Sequence, residues 1–358
     1  MNFLLFFSPV LMNCIEYKIT YDNYDSIKKL IPNSNVIGLY KEIIMNRKFS
    51  CRFEIYRENE YDNTIGILDL NNIDPKTGNN IFPEIFCEIN NIKCLLLNNL
   101  TLSGLPDKFV RLKELEELYL GYNRFKEFPQ ILFSLSNLKI LYLNDNEFNI
   151  IPFGIIHMNN LEILNIGFCS RLISINSNLF RLTKLKELNL SNNPLLFRND
   201  DFISCLVYSE YKTSGENEDN DDTNFVSYNS LKKLFICGNG LSTFPRIFSN
   251  SINLEQLDIS NNSFEEIPYE IHSFINLEIL NISNNCIKKM IIVDGMFKNL
   301  IELYLRCNKI PELSISDIVL QSLETLDLSF NRLSKIDRNI LKSVKRFKKC
   351  IFSGNIFK

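Results

Sequence analysis

The stretch LEELYLGYNRFKEFP (Leu115–Pro129) places Leu115, Leu118 and Leu120 at spacings of three and two and an asparagine, Asn123, three residues further on. The same frame returns in LKILYLNDNEFNIIP from Leu138, in LEQLDISNNSFEEIP from Leu254 and in LEILNISNNCI from Leu277. Twelve starts can be placed, at Ile65, Ile92, Leu115, Leu138, Leu161, Leu185, Leu231, Leu254, Leu277, Leu300, Leu323 and Phe347, and most steps are 23 residues. One step, from Leu185 to Leu231, is 46 residues, twice the usual length. A period of this size means that each copy is one supersecondary unit that must stack on its neighbours to bury its apolar face.

The physics of the frame follows from strand geometry. Leu115, Leu118 and Leu120 flank a short strand and point inward, while Glu116, Glu117 and Tyr119 point outward by two-residue alternation. Copies of that strand pair in parallel. Where the chain leaves the strand it must turn, and the turning backbone carries polar groups that the strand ladder no longer satisfies. A buried Asn amide serves as donor and acceptor there. Asn123, Asn146, Asn193, Asn239, Asn262, Asn285, Asn308, Asn331 and Asn355 therefore stack as a ladder, with Cys169 in that place in the fifth copy and Ile73 and Leu100 in the first two. An apolar residue two past the Asn (Phe125, Phe148, Phe264) and then an apolar-Pro pair open the return segment. The pairs are Leu105-Pro106, Phe128-Pro129, Ile151-Pro152, Phe244-Pro245 and Ile267-Pro268. Proline fixes φ and donates nothing, which suits the start of a short helical or extended turn.

This pattern resembles the leucine-rich repeats, in the 23-residue form of the intracellular Ras-group scaffold proteins, over residues 65–358. The proline is lost from the later copies, where Ile291, Ser314 and Asp337 replace it. The resemblance implies an α/β leucine-rich-repeat solenoid, a curved horseshoe with a parallel β-sheet on its concave face. It also implies a protein partner on that face, with a small GTPase or a phosphatase as the partner class.

Three segments depart from the array. Residues 15–64 carry no repeat; IEYKITY and FSCRFEIYR alternate like strands, and IKKLIP and VIGLYKEIIM between them look helical or partly so, and because an open solenoid end exposes its core the region is expected to cap it. Residues 194–230 hold the acidic stretch Glu216 to Asp222 without an apolar anchor, expected as a partly disordered loop rather than a degenerate repeat. Near the C-terminus, LKSVKRFKKC carries Lys342, Lys345, Arg346, Lys348 and Lys349, which suits an end strand protected from edge pairing, or a contact to an acidic partner.

The formal net charge of -3 leaves no global basic field for nucleic acid. The chain has 48 Asn, no Ala and no Trp, so much of its asparagine is expected to reflect compositional bias. The ten cysteines form no CxxC pair, which argues against a zinc site and a disulfide framework and suits reduced packing residues inside a cell. The histidines, His157 and His272, are five repeats apart on the return side, too far to share a site. No catalytic or phosphate-binding motif occurs, and neighbouring carboxylates such as Glu116 and Glu117 lie on an open strand surface. The expectation is a non-enzymatic chain without cofactor, metal site, small-molecule substrate or transmembrane segment.

Recognition then falls to the outward second, third, fifth, seventh and eighth positions of the frame. Tyr119, Tyr122 and Tyr142, with Phe168, form one candidate patch, and Phe235, Asp258, Tyr304, Arg306 and Asp327 a second, more charged one. Exposed aromatics on a rigid ribbon are the material of interface hot spots. The function expected is a scaffold or adaptor in intracellular signalling. The alternative is a secreted repeat protein that binds an extracellular or host ligand, because MNFLLFFSPVLMNC (residues 1–14) has the length of a secretory apolar region; it lacks Lys, Arg and a good cleavage site, however, and otherwise reads as an apolar strand or cap packed on the first repeats. Four N-x-S/T sequons, at Asn99, Asn189, Asn261 and Asn281, are what chance supplies at this asparagine content. The N-terminal residue of the protein isolated from its native cell decides between the two. Met1 or Asn2 is the outcome expected for a cytosolic adaptor, and a start near Cys14 or Ile15 marks export.

Overall fold

The computed structural model describes residues 15–19, 53–57, 65–71, 80–82, 84–88, 92–198 and 230–357. The apolar N-terminal run, the two helical expectations between residues 20 and 52, and the acidic stretch Glu216 to Asp222 lie outside these residues. Two compact units divide the chain, the first of Met1–Asn149 and Gly154–Leu164 and the second of Ile150–Phe153 and Asn165–Lys358.

In the first unit, β1 (Ile15–Ile19) pairs antiparallel with β2 (Phe53–Arg57), and β2 antiparallel with β3 (Ile65–Asp69). The strands expected between residues 15 and 64 are therefore present, and β2 lies between β1 and the first repeat strand, β3. From β3 the pairing turns parallel through β4 (Ile92–Leu96), β5 (Glu117–Tyr119) and β6 (Ile140–Tyr142), with Leu68, Leu95, Leu118 and Leu141 in register. The division between units falls inside β8 (Ile163–Asn165), after the two-residue β7 (Ile150–Ile151).

The second unit repeats the plan. After β9 (Ser174–Ile175) come β10 (Glu187–Asn189), β11 (Lys233–Phe235), β12 (Gln256–Asp258), β13 (Ile279–Asn281), β14 (Met290–Ile292), β15 (Glu302–Tyr304), β16 (Leu313–Ile315), β17 (Thr325–Asp327) and β18 (Lys349–Ile351). Strands β10 to β13, β15, β17 and β18 form a parallel ladder that keeps Leu188, Leu234, Leu257, Leu280, Leu303, Leu326 and Cys350 in register. β10 pairs directly with β11, Glu187 opposite Lys233, so no strand of a further repeat lies between them despite the 46-residue step.

The architecture is a leucine-rich-repeat solenoid, and its inward leucines are fully buried in both units; Leu115, Leu118, Leu120, Leu254, Leu257 and Leu280 have no exposed surface. Each such side chain contributes about 1.5–3 kcal/mol of transfer free energy.

The buried asparagines do what the turn requires. The Nδ2 of Asn123 donates to Leu97 O (2.8 Å), Leu120 O (2.9 Å) and Gly121 O (3.2 Å), and its Oδ1 accepts from the N–H groups of Leu100 (3.1 Å) and Leu102 (3.0 Å). Asn262 repeats the set with Ile236, Ile259 and Ser260 carbonyls and the Asn239 and Leu241 amides. Each ladder residue thus ties its own turn to that of the preceding repeat. One rung is incomplete: Oδ1 of Asn193 is buried without a partner among the described residues. The preceding repeat has Cys169 at that place and one extra residue, so its apolar anchor is Leu172, whose N–H turns back to Cys169 O (2.7 Å) instead of reaching Asn193.

The residue before each rung takes positive φ, from Asn99 (59°) through Tyr122, Asp145, Phe168, Asn192, Gly238, Asn261, Asn284, Cys307 and Phe330 to Gly354 (74°). A second row of asparagines closes the other end of the repeats: Nδ2 of Asn137, Asn160, Asn276 and Asn299 donates to the carbonyls of Lys113, Ser136, Ile252 and Ile275. The compositional reading of asparagine missed this row, whose members are structural.

On the return side, Pro106, Pro129, Pro245 and Pro268 each precede a 3-10 helix, respectively Asp107–Arg111, Gln130–Ser134, Arg246–Phe248 and Tyr269–Ser273. Short return-side strands pair both in a repeat that keeps the proline, β7 with β9 just before Pro152, and where it is lost, β14 with β16 in parallel, Ile291 opposite Ser314. Asp337 instead caps a short helix, α1 (Arg338–Ser343), by accepting from Asn339 N at 2.7 Å.

The two asparagine rows separate by burial. Replacing Asn262 by Ala strands two buried amides and three carbonyls, and is expected to lower unfolding free energy by about 3 kcal/mol, against under about 1 kcal/mol for Asn276→Ala, as read from urea midpoints. Equal effects would contradict the assigned roles.

Candidate protein-binding face

The fifth position of the frame falls at the end of each repeat strand, on the face away from the leucines. In the first unit β5 and β6 bring Tyr119 opposite Tyr142, and their rings stack with centroids 4.9 Å apart at 25°. The Tyr119 hydroxyl donates to Glu117 Oε2 at 3.1 Å. Burial, with the Glu117 charge beside it, pushes the Tyr119 phenol far above its ordinary range, so it remains a neutral donor. Glu117 lies on the outward face, but it is only 3% exposed, so the carboxylate expected in the open is covered. Half-buried Leu96 and Ile140 continue the surface on β4 and β6. Tyr122 stands at the positive-φ position (57°), 46% exposed.

The second unit holds the other candidates. Phe168 lies here, at φ 60° and 53% exposed. Phe235, Asp258, Asn281, Tyr304, Asp327 and Ile351 follow one another in register across the ladder. Tyr304 donates its hydroxyl to Glu302 Oε2 at 2.7 Å; burial and that acceptor push its phenol up to about 12. Arg306 lies over the ring of Phe330, with Cζ 4.6 Å from the centroid. Phe330, 49% exposed at φ 55°, occupies the same frame position as Tyr122 and Phe168 but was not singled out in the sequence, because its contacts with Arg306 and Gly354 arise only when the repeats stack.

The polar fifth-position residues have a local task. Asn165, Asn189, Asp258, Asn281 and Asp327 each accept, through Oδ1, the N–H two residues on, at 2.9–3.1 Å. This Asx turn ends the strand. Asp327 is only 8% exposed and takes the Ser329 hydroxyl as well, at 2.6 Å, while Oδ2 of Asp258 accepts from Asn281 Nδ2 at 3.0 Å. An aromatic residue cannot close that turn. In the Tyr119 repeat Asn98 of the preceding repeat does so instead, its Oδ1 accepting from Gly121 N at 2.8 Å. Gly121 has no room for a side chain there, since a Cβ would lie 2.7 Å from Asn144 Oδ1.

Charges at the second and third positions pair across neighbouring strands: Lys139 with Glu116 (2.5 Å), Lys232 with Glu255 (2.5 Å), Lys233 with Glu187 (3.5 Å) and Lys348 with Glu324 (2.6 Å). Such exposed pairs contribute about 0–1 kcal/mol each and leave the aromatics as the groups with binding energy to give. His157 and His272 sit in separate units on the return side, and burial holds the His272 imidazole, between Tyr269 and Phe297, below its ordinary range. Among the described residues no cluster of His, Cys, Asp or Glu could hold a metal ion, and no helix is long and apolar enough to cross a membrane.

Comparison with known proteins agrees with this geometry. Residues 49–348 match the model of the leucine-rich repeat region. No curated protein matches the chain in sequence. Among solved structures, a leucine-rich-repeat protein of Leptospira interrogans is similar at 24% identity and a TM-score of 0.56, with 78% of this chain and 70% of that one covered. An octameric complex of latrophilin 3, Unc5D and the repeats of FLRT2 gives 20% identity and 0.54, covering 76% and 77%. A complex of TLR13 with single-stranded RNA gives 20% and 0.54, covering 82% of this chain but 44% of that one. These likenesses establish the fold.

A left-handed backbone is unfavourable for an aromatic residue and cheap for Asn, which fills the same place in four other repeats at Asn99, Asn192, Asn261 and Asn284. Tyr122→Asn is therefore expected to raise stability by about 0.5–1 kcal/mol in urea unfolding. A loss of stability would show that the ring is held there by packing.

Proposed function

The chain belongs to the leucine-rich-repeat family, and we propose that it is a non-enzymatic adaptor that binds a partner protein through the outward face of its repeat strands, in intracellular signalling. The observation that carries this reading is the aromatic set on that face: stacked Tyr119 and Tyr142 with exposed Tyr122 in the first unit, and Phe168, Phe235, Tyr304 and Phe330 in the second. Rigid aromatics lose little entropy on binding and bring large contact area.

Similar solenoids are found in complexes with proteins and with RNA, so the fold alone leaves the ligand class open. The makeup of the face favours a protein. Among the described residues Lys139, Lys232, Lys233 and Lys348 have carboxylate partners, and the chain's net charge is -3, which disfavours a phosphate backbone as the ligand. The seven described cysteines are free thiols, which supports a place inside the cell. The repeat form, like that of Ras-group scaffolds, points to a small GTPase or a phosphatase as the partner class.

The test is affinity purification from the native cell with the wild-type chain and with Tyr119→Ala, Tyr142→Ala and Tyr304→Ala combined, the fold being checked by circular dichroism. A partner recovered with the wild type and depleted about tenfold or more with the folded variant is expected. Equal recovery of the same proteins would refute the face as the binding site.

A further inference from the structure

The second unit carries a cation that its own surface does not neutralise. Arg306 is exposed, and among the described residues it has no carboxylate partner, although Glu302 and Asp327 occupy neighbouring positions of the same face. Both acids are engaged elsewhere: Glu302 accepts the Tyr304 hydroxyl, and Asp327 accepts the N–H and hydroxyl of Ser329. What holds Arg306 is the ring of Phe330. That ring lies close against Gly354, where an added Cβ would come within 2.7 Å of Phe330 Cδ1. The ring thus touches Arg306 of the preceding repeat and Gly354 of the following one.

Stacking on a ring orients a guanidinium and strips water from one face while leaving its in-plane N–H donors unused. An oriented, partly desolvated fork of donors matches the two oxygens of a carboxylate. We infer that Arg306, seated on Phe330 beside Tyr304, receives the carboxylate of a Glu or Asp side chain on the protein partner. This rests on the proposed function and gives its partner a chemical signature, an acidic residue with apolar neighbours that cover the rings. A phosphate group fits less well, since a dianion calls for clustered cations, and here one guanidinium stands near the carboxylates of Glu302 and Asp327.

The probe is the pentapeptide acetyl-Gly-Leu-Glu-Leu-Gly-amide, titrated into the full chain while the Arg306 Nε–H resonance, assigned by its loss in Arg306→Lys, is followed by NMR. Matched peptides carry Gln or phosphoserine in place of Glu. A saturable shift is expected with the Glu peptide, with at least about fivefold weaker binding of the Gln peptide. Phe330→Asn, which suits the left-handed backbone and so keeps the fold, should weaken the Glu peptide about two- to fivefold. Equal response to Glu and Gln, no response at Arg306, or tighter binding of phosphoserine would each overturn the assignment. If the tyrosine variant loses its partner while Arg306 ignores the Glu peptide, the binding face stands and only this seat falls.

Discussion

The structure depends on one kind of contact, a buried asparagine amide that satisfies backbone groups where each strand ends. A parallel strand of three residues leaves most of its turn without ladder partners, and nothing but side chains can supply them in a dry interior. The carboxamide is the side chain that both donates and accepts, and at Asn123, Asn146 and Asn262 it reaches two repeats at once. Spacing between repeats is therefore set by hydrogen-bond length as well as by leucine packing. The Cys169 repeat shows the converse: with the rung replaced and one residue added, the amide that Asn193 needs is directed elsewhere.

The rung also determines where aromatic side chains can be displayed. To aim its amide inward, the chain adopts a left-handed residue just before each asparagine, and that residue's side chain is left outside. Asn and Gly accept this backbone readily; Tyr122, Phe168 and Phe330 accept it at some expense in stability and are half exposed. Strain retained at exposed aromatics, beside the Tyr119–Tyr142 stack in one unit and the Arg306–Phe330 pair in the other, ties turn geometry to the binding face proposed above.

The leucine frame and the asparagine rungs were legible because each follows from a single-repeat pattern that recurs, whereas the apolar-Pro pairs marked where a turn begins and left helical and extended turns both open. Asp258 and Asp327 were legible only as outward residues, since the sequence does not say that a polar fifth position turns back to the amide two residues on. The edge row of Asn137, Asn160, Asn276 and Asn299 was hidden by an asparagine-rich composition. Phe330 was overlooked because its partners, Arg306 and Gly354, come from the repeats before and after it, a relation that exists only once the repeats are stacked. The direct pairing of β10 with β11 was likewise beyond a reading of spacing, because a 46-residue step fits two repeats as well as one repeat with an excursion.

The central claim is that rung asparagines lock the turns of both units. Amide hydrogen exchange at Leu102, Phe125, Leu241, Phe264, Ile287 and Ile310, each of which donates to a rung Oδ1, tests it most directly. Protection equal to that of the strand amides at Leu118 and Leu257 is the result predicted. Exchange at the rate of an exposed loop would contradict it.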